Sequence, residues 1–361
     1  MKHFRPRLSR RAFWVLCALL VCLRLALTGF QQAYIWVGGA PLDDELMFRA
    51  ANHITAGQWL GAYDYLTLSK AMFFPVWLAL LHALHLPYLI SGAALWCGAA
   101  LLATFAFSTL WRKKDTAQGR VLTLGLFAAL AFLPSSWAAY TLRVYRDNIF
   151  PALCLYFFAG MAGMALRAVL TPEKPLWPWL AAAGAGLACG YLDREDAGLF
   201  LLPFAAAATV IVAVVLACKR RWKALAAQVI PYVMLGVGVL TFCTLNYTHY
   251  GVFALSDFSE GSFAAAMGAM MRVDTDSTAP YLSVAADARE KIYDAVPELE
   301  PLAYWLEEDA QLQNDFRDPN LDDYRAGSFY WAIRRAAQFE GIYADAKTAD
   351  AYWQTVADKI N

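Results

Sequence analysis

Seven apolar runs, near residues 13–30, 88–110, 121–138, 148–168, 176–192, 197–218 and 224–245, constrain this chain more than anything else in it. Each is close to the roughly 20 helical residues that cross about 30 Å of hydrocarbon. Lipid offers backbone amides no partner, so a spanning segment of this kind must satisfy its own hydrogen bonds as a helix. The reading is an all-α, polytopic membrane protein of about seven transmembrane helices. Composition agrees: 60% of the 361 residues are hydrophobic and only 17% charged, where soluble domains carry about 25%.

An eighth run, AMFFPVWLALLHALHL at 71–86, reaches only about 24 Å at 1.5 Å per residue. Cytoplasmic loops collect Lys and Arg, and this bias settles its place. If 71–86 does not cross, the inner loops hold fifteen cations, including Arg10, Arg11, Arg112, Lys113, Lys114, Arg120 and the run from Lys219 to Lys223, against five outside. If it crosses, the inner total falls to eight. The run is therefore expected to be a re-entrant or interfacial helix on the outer face. The N-terminus is then cytoplasmic, with residues 13–30 a retained signal anchor in the cell (plasma) membrane.

Net charge is zero, yet residues 1–245 hold 21 Lys and Arg against 10 Asp and Glu, and the remainder holds 9 against 20. The expected organisation is a basic membrane module, 1–245, with an outer loop at 31–87 carrying juxtamembrane helices. A small acidic, extracytoplasmic helical segment, 246–361, follows it. In that tail Tyr304, Trp305, Phe329, Tyr330, Trp331, Tyr352 and Trp353 are expected to pack a core, and Asn246-Tyr247-Thr248 matches a short glycosylation sequon. The seven cysteines lie in apolar segments without metal-ligand spacing and read as packing residues. No nucleic-acid partner is expected.

This topology gathers eight of the ten acids of the membrane module on the outer side: Asp43, Asp44, Glu45, Asp64, Asp147, Asp193, Glu195 and Asp196. In the first loop Leu46, Met47, Ala50, Ala51 and Ile54 fall at helical spacing. Asp43 or Asp44 there could simply cap that helix, but a cap needs one carboxylate and three are present. The second loop, TLRVYRDN, carries Arg143, Arg146 and Asp147, and the third, GYLDREDAG, carries Arg194 and Glu195. Taken singly, each is an ion pair at the edge of the bilayer, contributing about 0–1 kcal/mol when exposed. Together they suit transfer from a lipid-linked phosphate to a hydroxyl: a carboxylate takes the acceptor proton, while Lys70, Arg143 and Arg146 neutralise the departing phosphate.

These residues resemble the GT-C class of membrane glycosyltransferases, in particular the dolichyl-phosphate-mannose protein mannosyltransferases and the bacterial lipid A aminoarabinose transferases. The resemblance covers about 245 of the 361 residues. It lies in the acidic Asp43-Asp44-Glu45 after the first span, Gly57-Gln58-Trp59, Lys70 before an aromatic helix containing Pro75, and Asp147 in the next outer loop. Lys70 departs from the family pattern in being followed by Ala-Met-Phe-Phe before its proline.

The resemblance implies an inverting transfer of sugar from a polyprenyl-phosphate donor to a glycan, lipid or protein hydroxyl. Asp44, or else Asp43, would be the base, Lys70 the phosphate contact and Asp147 the second acid; the resemblance carries no role for Arg194 and Glu195, which sit where the third outer loop would complete the site and, with Glu45, are expected to support it. Some relatives of this class use a divalent ion; Asp43, Asp44 and Asp147 are the oxygen ligands that would suit Mg²⁺ or Mn²⁺ here. The alternative is a multi-span transporter or lipid flippase with a charged outer vestibule. That reading would want charges at mid-membrane and repeated halves, and apart from Arg24 the spans lack central charge. A non-catalytic scaffold displaying the tail would leave the three loops far apart.

Overall fold

The computed structural model describes residues 8–36, 40–111 and 116–361. Lys2, Arg5, Arg7, Arg112, Lys113 and Lys114, counted above as inner cations, lie outside these. The described residues contain helices and isolated bridges but no strand. Packing divides the chain into two units, Met1–Gln58 with Ala71–Thr241, and Trp59–Lys70 with Phe242–Asn361.

The helices met first along the chain are α1 (Arg10–Thr28), α2 (Leu46–Thr55), α3 (Phe73–Ala83), α4 (Tyr88–Ser108), α5 (Ala117–Ala131), α6 (Ala139–Leu142), α7 (Phe150–Leu170), α8 (Trp177–Asp193), α9 (Gly198–Cys218), α10 (Trp222–Ala227) and α11 (Ile230–Tyr250). Among the described residues five stretches are long and apolar enough to cross a bilayer: α1, α4, α7, α9 and the segment Trp222–Tyr250. A sixth exists if α5 and Pro134–Leu142, bent by 46°, count as one span. The bend falls where Pro134 withholds an amide from the helix ladder. The chain is thus a helical, membrane-embedded protein, and its described residues hold five or six helices long and apolar enough to span, not the seven expected. The expected span at 176–192 is α8, of only 17 residues, and 71–86 shortens to the 11 residues of α3.

Short as it is, α8 is the best-enclosed helix of the first unit, burying Trp179, Leu180, Ala183, Gly184, Gly186 and Leu187. Glycine is what lets α7 approach it. A Cβ on Gly160 would stand 2.5 Å from the Ala183 amide nitrogen, and one on Gly186 would stand 2.4 Å from that of Phe157. Close backbone approach at small residues is how helices associate where lipid removes the hydrophobic drive. Arg146 stands four residues before α7 and Asp193 ends α8, so both lie at one end of this packed pair. Gly186→Val is expected to lower stability by at least about 1–3 kcal/mol, read as an earlier unfolding transition in detergent. Gly236→Ala is the control, since nothing lies within 4 Å of its added methyl.

The second unit is helical: α12 (Gly261–Met270), α13 (Ala286–Ala295), α14 (Glu300–Glu307), α15 (Ala310–Phe316), α16 (Ser328–Phe339) and α17 (Ala346–Ile360). Phe263, Leu302, Phe329, Ile333, Tyr343 and Trp353 form its core. Of the tail aromatics expected there, Phe329 and Trp353 are buried, Trp305, Tyr330 and Tyr352 pack partly against the core, and Tyr304 is exposed. Two buried guanidinium groups are matched inside it: Arg289 by Glu307 and Asp323, both at 2.6 Å, and Arg334 by Asp257 at 3.0 Å.

Residues 59–70 join this core because Tyr63 donates to Asp257 (2.9 Å) and the Tyr65 carbonyl accepts from Arg334 (2.7 Å). Asn246 of the sequon is buried, accepting from the Trp59 indole at 2.8 Å and donating to the Ala254 carbonyl at 2.7 Å. Its amide is occupied in packing and is not a surface acceptor.

Candidate functional site

Three short segments of the first unit meet: Pro41–Glu45, Arg143–Asn148 and Asp193–Asp196. The first is a single wide π-type turn ahead of α2, a helix irregularity common at functional sites. α2 follows because Leu46, Met47, Ala50 and Ala51 supply a buried face. Its start takes no side-chain cap from Glu45, and the Asp44 carboxylate points elsewhere. One Asp44 oxygen accepts from the Trp36 amide at 3.0 Å, and the other from Arg143 Nε at 2.8 Å and also from its Nη2. The Arg143 guanidinium lies over the rings of Trp36 (5.0 Å) and Tyr145 (4.6 Å). Its backbone is held as well, through a bridge to Tyr34 and through Tyr88, whose hydroxyl donates to the Arg143 carbonyl at 2.8 Å.

A second chain of bonds begins at Asp43. The Tyr145 hydroxyl donates to its Oδ1 (3.0 Å) and receives from Arg146 Nη2 (2.8 Å). Arg146 Nη1 donates in turn to Glu195 Oε2 (2.8 Å) and to the Asp193 carbonyl (3.0 Å). The other Glu195 oxygen accepts from the Ala71 amide at 2.6 Å. At the rim Arg194 bridges Asp147 (3.3 Å) and Asp196 (3.1 Å).

The three loops are therefore one network, and its members differ in depth. Asp44, Arg146 and Asp193 are buried; Asp43, Asp147, Arg194 and Glu195 are partly open. The Asp43 side chain keeps 39% of its surface and that of Asp44 none, so of the two neighbouring carboxylates only Asp43 is within a substrate's reach.

These pairings perturb ionisation in a consistent direction. The hydrogen bond to Asp44 holds Arg143 above its ordinary guanidinium value. Burial lowers Arg146, but the charge of Glu195 and the contact with Tyr145 outweigh it and the net shift is upward. Burial raises the Tyr145 phenol, with the neighbouring Arg146 opposing.

Asp193 is the exception, a fully buried carboxyl with neither oxygen hydrogen-bonded among the described residues. Burial pushes it well above the carboxylate range, against the pull of Arg146 and Arg194 and with Glu195 and Asp147 adding to the rise. A raised carboxyl binds its proton in the folded state at pH values where the unfolded chain, with its carboxyl near 4, has lost it. Stability then falls as pH climbs above about 4, by up to about 1.4 kcal/mol per unit, until the folded group also ionises. Asp193→Asn, neutral throughout, is expected to remove this slope. Melting curves from pH 4 to pH 8 should bring the variant level with or above the wild type at the alkaline end; parallel curves would contradict it.

Of the residues expected from sequence, Asp43, Asp44, Arg143, Arg146, Asp147, Arg194 and Glu195 fall in this network. Glu45 is exposed and joins none of these bonds. Lys70 belongs to the second unit, where its Nζ lies 5.6 Å from the centre of the Trp331 ring. Sequence reasoning missed Trp36, which fixes Asp44, and Tyr145, which joins Asp43 to Arg146. The one available signal was an aromatic placed between two arginines and an aspartate in RVYRD. For a divalent ion the fit is poor: Asp43 and Asp44 face Arg143 and Tyr145, and Asp147 faces Arg194. Among the described residues no group of three or more His, Cys, Asp or Glu side chains is arranged to hold a metal.

Compared with protein-family models, with curated proteins and with solved structures, the chain finds no match in any of the three.

Proposed function

We propose that this protein is a membrane glycosyltransferase that moves a sugar from a polyprenyl-phosphate donor to a hydroxyl acceptor at the outer face of the cell membrane, with inversion. The observation that carries the reading is the half-open Asp43 carboxylate, set beside a buried Asp44–Arg143 pair and bonded to the Tyr145 hydroxyl. A general base must be reachable by the proton it takes. Asp43 meets that condition, and Asp44 serves to hold Arg143 and the turn in place.

In the proposed step the acceptor hydroxyl gives its proton to Asp43 as its oxygen bonds to the anomeric carbon. The bond from that carbon to the phosphate oxygen breaks, and its electron pair leaves with the polyprenyl phosphate. Arg194 at the open rim offers the leaving group a guanidinium, turning from its 3.3 Å contact with Asp147. Arg143 and Arg146 are held deeper than the partly open Arg194, against the buried Asp44 and beneath Glu195, so their part is to order the loops. No step is routed through a metal ion.

The test is a reconstituted assay of the full chain with a panel of polyprenyl-phosphate sugars, reading free polyprenyl phosphate against glycosylated acceptor. Equal appearance of the two supports transfer. Movement of intact donor between leaflets without cleavage would favour the carrier reading instead.

A further inference from the structure

Arg24 sits within the span α1 and is 99% buried, yet no carboxylate pairs with it among the described residues. Its Nη1 donates to Thr28 Oγ1 (2.6 Å) and its Nη2 to the Ser136 carbonyl (2.9 Å). The Trp137 ring lies 4.3 Å from its guanidinium carbon, while Nε has no partner. Neutral groups thus take two of its donors and none cancels its charge. A buried charge left unmatched is costly, and an ionisable side chain inside a span usually marks a site.

The guanidinium lies at the base of an open-mouthed cleft with about 20 Å³ of free space inside, room for about one water; Thr28, Gln31, Trp96, Asp147 and Asn148 also bound it. A second orphan lies in the wall of the cleft: Asn148 Oδ1 is buried beside Gly92 and, among the described residues, accepts no hydrogen bond. Asp147 at the cleft is already paired with Arg194, so its repulsion of an anion is offset.

Depth and surroundings say what kind of anion. Arg24 is four residues from the end of α1 at Thr28, roughly 6 Å along the axis, the level at which headgroups meet hydrocarbon. Leu19, Leu23 and Leu27 on the same helix are exposed and apolar, as acyl chains require.

We propose that the mouth of this cleft binds the phosphate headgroup of a membrane lipid, with Arg24 beneath it as counter-ion. A guanidinium can contact phosphate through two parallel N–H groups, which an ammonium cannot. The proposal concerns binding alone and stands whether or not the transfer reaction above is correct.

The experiment uses the purified full chain in neutral detergent, with three probes: dioctanoyl phosphatidic acid, inorganic phosphate and dioctanoyl glycerol. Binding and thermal stabilisation are both measured. Phosphatidic acid should bind and raise the melting temperature, dioctanoyl glycerol should do neither, and Arg24→Gln should weaken phosphatidic acid at least about tenfold. Arg24→Gln removes the unmatched charge, but its shorter amide cannot reach both Thr28 and Ser136, so the lipid effect is read against each protein's own lipid-free melting temperature.

Should that variant fail to fold, Leu89→Trp, which fills the cleft and leaves the Arg24 bonds intact, must abolish the phosphatidic acid effect. Inorganic phosphate alone matching phosphatidic acid would overturn a lipid ligand in favour of a free anion. Equal affinity in wild type and either folded variant, or no phosphate-dependent stabilisation of wild type, would overturn the site.

Discussion

Replacing Arg143 with methionine is expected to cost about 3–5 kcal/mol of stability, the largest effect of any single substitution considered. Asp44 has no exposed surface, and Arg143 is its counter-ion as well as the donor of two of its hydrogen bonds. Removing the guanidinium leaves a carboxylate buried with only the Trp36 amide for company. The cost should be mostly that of the stranded charge and not of the lost attraction. The double variant Asp44→Asn with Arg143→Met should therefore recover much of the loss, a coupling that unfolding of all four proteins in detergent would measure. Additive losses would mean that the pair contributes only local packing.

Asp43→Asn is expected to fold normally and to lose transfer by about 10²–10⁴-fold, the usual contribution of general base catalysis. The half-exposed carboxylate has no buried charge to strand, and its amide still accepts from the Tyr145 hydroxyl. Asp44→Asn should behave in the opposite sense. Its effect on turnover should follow its effect on stability, because it changes what anchors Arg143. Turnover measured per folded molecule separates the two residues. Full activity in Asp43→Asn would remove the proposed base.

Much of the architecture was legible in residue order. Runs such as 88–110 and 197–218 appear as α4 and α9 because hydropathy over 20 residues is a local property. The run at 71–86 was correctly placed as too short to span. Where the reading exceeded the structure, the cause is also local. The run at 176–192 is rich in Gly and Ala and ends in charge, so it makes a 17-residue helix whose role is to be packed around. Pro134 breaks another span in two. That the residues 59–70 pack with the C-terminal core depends on Tyr63 and Tyr65 meeting Asp257, Arg334 and Gln338, partners nearly 200 residues away or more that no window of sequence connects.

The candidate site divides in the same way. By itself the order of residues determined which side chains were eligible: three carboxylates after the first span, two arginines and an aspartate after the third, and an acidic cluster in a third loop. Eligibility follows from topology, since charges must leave the hydrocarbon at the ends of spans. Only the tertiary structure decided that Asp44 is buried against Arg143 across 99 positions of chain, that Asp43 next to it stays open, that Tyr145 links them to Arg146, and that the Asp193 carboxyl has no hydrogen-bond partner among the described residues. Where Asp193 ends up depends on how closely α7 and α8 approach at Gly160 and Gly186. That approach is a property of two surfaces together, so neither helix's sequence carries it alone.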